Sequence, residues 1–141
     1  MDPLGTNNNT SATMAVAASA LKTQQARMRI VAENIANADS TGTSAGADPY
    51  RRQIPVFQAT NLDGATGVKL SQIKPDTTAF TKDYDPSNPA ADAAGYVKRS
   101  NVNPLIETMD MRDAQRAYEA NLNVIDTVRS MQERTLDMLR K

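Results

Sequence analysis

The chain has 141 residues, sixteen of them basic and sixteen acidic, and so carries no formal net charge; bulk attraction to nucleic acid or an anionic membrane is therefore not its organising force. It contains neither cysteine nor histidine, which removes disulfides, thiolate nucleophiles, His-dependent triads and the usual Cys/His metal sites. Aromatic residues make up 4%, too few for base-stacking platforms or a large compact core.

Residues 1–9 contain Asp2, Pro3, Gly5 and the run Asn7-Asn8-Asn9, and read as a flexible leader. Asp2 stands where a Sec-type signal would carry basic residues, so no such signal is read. The uncharged run Ala12–Leu21 is too short and alanine-rich to span a bilayer, and no direct membrane insertion is expected.

Residues 10–38 read as a helix, with Thr10 or Ser11 as its cap and no proline or glycine inside it. Met14, Leu21, Met28 and Ile35 recur at seven-residue spacing, with Ala17, Ala18, Val31 and Ala32 on the same side. That is a heptad-like packing stripe, interrupted at Gln24 and Gln25.

Residues 39–102 form a central segment of short strands and loops. Asn37–Asp48 is rich in Ser, Thr, Gly and Asp and ends the helix. Tyr50–Ala59 suits an extended strand that Pro55 confines to an edge. Asn61–Gly67 reads as a hairpin turn around Asp63-Gly64, and Val68–Ile73 as the returning strand. Ala79–Tyr84 and Tyr96–Lys98 are shorter extended pieces on either side of the Pro- and Ala-rich loop Asp85–Gly95. Arg51-Arg52 has the chemistry to hold a phosphate but reads as a solvated pair. Asp83, Asp85 and Asp92 lack the alternating ligand pattern of a calcium loop and read as solvating residues.

Residues 103–141 read as one long helix. Asn103 is its N-cap and Pro104 occupies its first turn, and no further proline or glycine follows. About 36 residues of helix would span roughly 54 Å. Its apolar ribbon runs through Ala117, Ala120, Val124, Val128, Met131, Thr135 and Met138, widened by Leu122, Ile125, Leu136 and Leu139. So much apolar helix exceeds what a chain of this size can cover with itself. The termini are therefore expected to be labile alone and to gain order on assembly. Met14, Leu21, Met28, Val31, Ile35, Ala117, Val124, Val128, Met131 and Met138 are the expected helix-packing and assembly residues.

An enzyme using Asp83, Asp85, Glu107 or Asp110 as acid and base is disfavoured by the lack of His, Cys and a glycine-rich phosphate loop. Arg27, Arg29, Arg51 and Arg52 make no sustained basic face for nucleic acid. No catalytic residue, cofactor or metal ligand is assigned.

Four stretches carry a resemblance over nearly the whole chain: RMRIVAENIANADSTGT (27–43), DPYRR (48–52), YDPSNPAADAAGYVK (84–98) and NVNPLIETMDMRDAQRAYEANLNVI (101–125). They are similar to the bacterial flagellar rod/hook axial proteins. The resemblance implies a mainly α fold: two long terminal helices packed as an antiparallel coiled coil, with the strand-and-loop segment outside. It implies a structural subunit of the proximal rod, assembling helically with copies of itself and with the rod proteins FlgB, FlgF and FlgG and the rod-base adaptor FliE. It further implies export through the flagellar type III apparatus, a periplasmic location, and a role as drive shaft and export channel. The competing reading is a coiled-coil adaptor or chaperone of a type III secretion system, which would form a discrete soluble heterodimer.

Overall fold

The computed structural model describes residues 5–62 and 64–140. Two helices, α1 (Gly5–Ala36) and α2 (Pro104–Leu139), enclose four strands in sequence, β1 (Gln53–Leu62), β2 (Ala65–Pro75), β3 (Thr81–Tyr84) and β4 (Tyr96–Arg99). The helices run antiparallel. Asn34 meets Glu107, Arg27 meets Asp110, and Thr13 shares a trough with Asn121 and Val124, so numbering rises on one helix as it falls on the other. The expected fold class therefore holds.

Helix α1 starts five residues earlier than expected, so Gly5–Asn9 is helical rather than a loose leader. A helix already nucleated downstream extends cheaply, one hydrogen bond per added residue, even through asparagines. Met1–Leu4, the rest of that expected leader, lies outside the described residues. Helix α2 begins as its sequence predicts: the Asn103 side chain accepts from the Leu105 amide at 3.1 Å, with Pro104 following.

Strands β1 and β2 form a long antiparallel hairpin with an irregularity between Val56 and Phe57. The turn expected across Asn61–Gly67 is much tighter, because pairing continues through Leu62 and Ala65. Gly64 there has φ of 91°; Asp63, its expected companion, lies outside the described residues. The hairpin rests on α1. The Val68 amide donates to Ser19 Oγ at 3.2 Å, and Thr23 Oγ1 donates to the Val68 carbonyl at 3.2 Å. Gly67 makes this approach possible, since a Cβ there would sit 2.7 Å from Ser19 Oγ and clash with Leu62.

Strands β3 and β4 pair with each other. Tyr84 and Tyr96 pack edge to face at 5.3 Å. The loop between them is held by its aspartates. Asp85 accepts from Ser87 Oγ at 2.7 Å, and Asp92 accepts from the Ala94 and Tyr96 amides at 2.9 and 3.0 Å. Asp83 pairs with Arg99 and Asp48 with Lys98. Asp83, Asp85 and Asp92, read from sequence as solvating, instead shape the small sheet.

The helices and the hairpin meet at one buried polar cluster. Glu107, on the first turn of α2, is completely buried. It accepts from Arg52 Nε at 2.6 Å and from Asn34 Nδ2 at 3.0 Å. Asn34 also donates to the Gln53 carbonyl and accepts from the Gln53 amide and the Tyr50 hydroxyl, each at 2.9 Å. Burial, with the carboxylates of Glu33 and Glu107 nearby, holds the Tyr50 phenol above its ordinary pKa, so it stays a donor. Arg52 reaches Asp76 at 3.4 Å, and its amide donates to Asn101 at 2.8 Å. Ile30, Val31, Ala38, Val97, Val102 and Ala114 are buried close to these residues in sequence, whereas farther along the helices the buried side chains among the described residues are Ala17, Thr23 and Val128.

Three outcomes follow from this layout. Glu107→Ala leaves Arg52 and Asn34 without their acceptor and should cost about 3 kcal/mol in urea unfolding, with Glu107→Gln costing roughly half; an Ala variant within about 0.5 kcal/mol of the parent would show the cluster to be dispensable. Amide exchange should be slowest across 30–38 and 107–114 and fast at 9–16 and 121–139, and uniform protection would contradict the burial gradient. Hydrogen bonds hold Asp92 (from the Tyr96 amide foremost) and Asp85 (from Ser87 foremost) below the ordinary carboxylate pKa. Their stabilisation is therefore present above about pH 4 and lost as pH falls through the lowered folded-state values. Near-ultraviolet tyrosine dichroism should fade on acidification before far-ultraviolet helicity does.

Candidate assembly surface

The apolar ribbon expected on α2 is in fact two stripes. One faces α1: Glu107, Met111, Ala114, Tyr118, Asn121, Ile125 and Val128 are buried or half-buried, at alternating steps of four and three. The other is rotated from it by roughly 120°, at about 100° per residue. It comprises Ile106, Met109, Ala120, Val124, Met131 and Met138, all exposed.

Of the residues expected to pack, Val128 is buried and Ala117 half-buried beside the first stripe. Val124, Met131 and Met138 belong to the second, with 43, 61 and 72% of their surface exposed. Within the single chain these three are therefore not part of the seam with α1, and of their expected role only assembly with other chains is open to them. The face turned toward α1 is not the most apolar row, because it must also present Glu107 to Asn34 and Asp110 to Arg27. On α1, Val31 is fully buried, while Met14, Leu21, Met28 and Ile35 are half-buried along the edge of the pairing face. Gln24, which breaks that stripe in sequence, has a buried side-chain oxygen that meets no protein donor among the described residues.

The end of α1 and the start of α2 lie level, and α2 runs on past the described start of α1. The pairings above place Gly5 opposite roughly residue 132. The α2 segment beyond that point carries Leu136, Met138 and Leu139, exposed on several sides. A trough of about 270 Å³ opens between the helices and the hairpin tip, lined by Asn9, Ala12, Thr13, Val16, Ala17, Ala65, Asn121 and Val124. Gly5–Leu21 carries no charged residue, so nothing charged needs desolvating if this half of α1 is covered.

Sequence reading missed Leu105, Ile106 and Met109, exposed apolar residues at the start of α2; their i, i+1, i+4 spacing was the available signal. It also missed the polar cluster. Arg52 is bound within it. Arg51 lies over the Phe80 ring at 4.1 Å and donates to the Asp76 and Thr78 carbonyls. The pair is thus neither a phosphate clamp nor a solvated face. The carboxylates weighed as acid and base are likewise engaged: Glu107 with Arg52 and Asn34, Asp110 with Arg27, Asp83 with Arg99, and Asp85 with Ser87. Among the described residues, no helix is long and apolar enough to cross a membrane.

Comparison with known proteins gives this surface its context. Residues 14–42 match the family model "Flagella basal body rod protein", and residues 93–138 match "Flagellar basal body rod FlgEFG protein C-terminal". The chain is 48% identical to the flagellar basal-body rod protein FlgC of Agrobacterium fabrum, over 99% of this chain and 98% of that one. It is 41% identical to the FlgC of Escherichia coli O6:H1, over 87% of this chain and 92% of the relative. With the FlgC of Bacillus subtilis the identity is 35%, over 87% and 93%. Helices with more apolar surface than they cover, carboxylates committed to structural bonds, and similarity spanning the whole fold lead to one conclusion: the chain belongs to the flagellar basal-body rod proteins, structural subunits of the flagellum rather than enzymes.

Proposed function

We propose that this rod subunit builds the proximal part of the rod, in a helical lattice of heterologous contacts made through the second stripe and the free end of α2. The observation that carries this reading is the row Ile106, Met109, Val124, Met131 and Met138, left uncovered by the chain itself. Contacts between unlike faces propagate instead of closing, which suits a shaft. The antiparallel helices would line the inner tube and the two small sheets would face outward. Copies of this chain, FlgB, FlgF, FlgG and the adaptor FliE are the proposed neighbours. Such a rod would transmit torque and serve as the export channel.

We also propose export through the flagellar type III apparatus into the periplasmic space. Support comes from the uneven burial of the fold. The far halves of both helices bury few side chains, and such segments open at low free-energy cost. They would then gain their full order from neighbouring subunits.

Two charge insertions separate assembly from folding. Met131→Asp changes a residue that touches little within the chain, so it should shift stability by under about 0.5 kcal/mol while abolishing rod assembly and swimming. Val128→Asp places a charge in the intramolecular seam and should lower stability by several kcal/mol. Thermal melts of the purified variants, with basal-body counts in complemented cells, make the comparison. Normal swimming with Met131→Asp would overturn the assigned surface.

A further inference from the structure

Six of the seven methionines lie among the described residues, and they fall into two groups. Met14, Met28 and Met111 are half-buried. Met109, Met131 and Met138 are 62, 61 and 72% exposed. At about 100° per residue, the exposed three lie within an arc of roughly 40° on α2, and all belong to the second stripe. The chain has no cysteine, so among the described residues these thioethers are the most accessible reducing sulfur.

We propose that Met109, Met131 and Met138 are an oxidation site that governs whether the free subunit can be built into the rod, an inference that rests on the assembly reading above. The oxidant is hydrogen peroxide or another two-electron peroxide. A thioether sulfur attacks one peroxide oxygen, the O–O bond breaks, an S–O bond forms, and the second oxygen leaves as water. Methionine is oxidised by two electrons and peroxide is reduced by two. The product is a polar, chiral sulfoxide where an apolar, adaptable side chain stood. On the second stripe this change leaves the intramolecular seam intact and places three strong dipoles on the surface that must lose its water. Once the stripe is covered by neighbours, its sulfurs are shielded. Susceptibility thus belongs to subunits not yet incorporated, and a methionine sulfoxide reductase restores them.

Two measurements test this. In purified chain treated with dilute peroxide, peptide mass spectrometry should show single-oxygen addition at Met109, Met131 and Met138 at least about fivefold faster than at Met28 and Met111, the half-buried methionines outside the lightly packed far ends. Equal rates overturn the proposal. In cells relying on a plasmid copy, Met109→Gln/Met131→Gln/Met138→Gln imitates the polar product and should fold by circular dichroism but build no rods. Met109→Leu/Met131→Leu/Met138→Leu keeps the stripe apolar and volume-matched. It should swim normally and keep its basal bodies through a peroxide pulse given during rod construction, whereas the parent loses about fivefold. A swimming Gln variant, a folded Leu variant that cannot swim, or equal peroxide sensitivity of Leu variant and parent each overturns the idea. If Met131→Asp abolishes rods while peroxide spares them, the oxidation site alone fails; if Met131→Asp swims, the assembly reading fails with it.

Discussion

The bond between Glu107 and Arg52, shared with Asn34, is what the rest of this structure hangs on. A carboxylate with no exposure is tolerable only when both its oxygens are occupied by good donors. Here Arg52 Nε takes one and Asn34 Nδ2 the other. The donors come from different parts of the chain, so satisfying one charge fixes α1, the entry to β1 and the start of α2 together. Asn101 and Asp76 extend the same network to the end of β2 and the approach to α2. A hydrophobic contact could supply comparable energy but would not specify the helix rotation so tightly, because apolar packing lacks direction.

That rotation has a functional consequence. Left to hydrophobicity, α2 would turn its richest apolar row toward α1. The polar cluster instead turns Glu107, Ala114 and Asn121 inward and sends Val124, Met131 and Met138 outward. Stability at one end of the helix pair is thereby exchanged for a sticky flank along its length. The same arrangement concentrates burial near the cluster and leaves the far helical halves lightly packed, a division suited to a subunit whose final neighbours are other chains.

The stretches that carry the family resemblance acquire a physical meaning in this light. Arg27, Asn34, Tyr50, Arg52, Asn101, Glu107 and Asp110 all fall within them. So do Asp85 and Asp92, whose hydrogen bonds set the loop between β3 and β4. None of these residues performs chemistry. Each places one segment of backbone against another, and together they present the outward stripe in a defined direction.

The linear sequence by itself determined the elements whose causes are local. Asn103-Pro104 marks the start of α2, unbroken helical residues set its length, and alternating apolar residues between turn signals mark the hairpin strands. The missing His and Cys bounded the chemistry for the same reason, since composition needs no fold to be read. What only the tertiary structure decided was which apolar row faces inward, that β3 and β4 pair, and that Arg52 and Glu107 are partners across 55 positions of chain. A three-or-four-residue periodicity defines a family of helix faces but not the partner each will meet. That choice is made by the fit of a few buried polar groups brought together from distant segments.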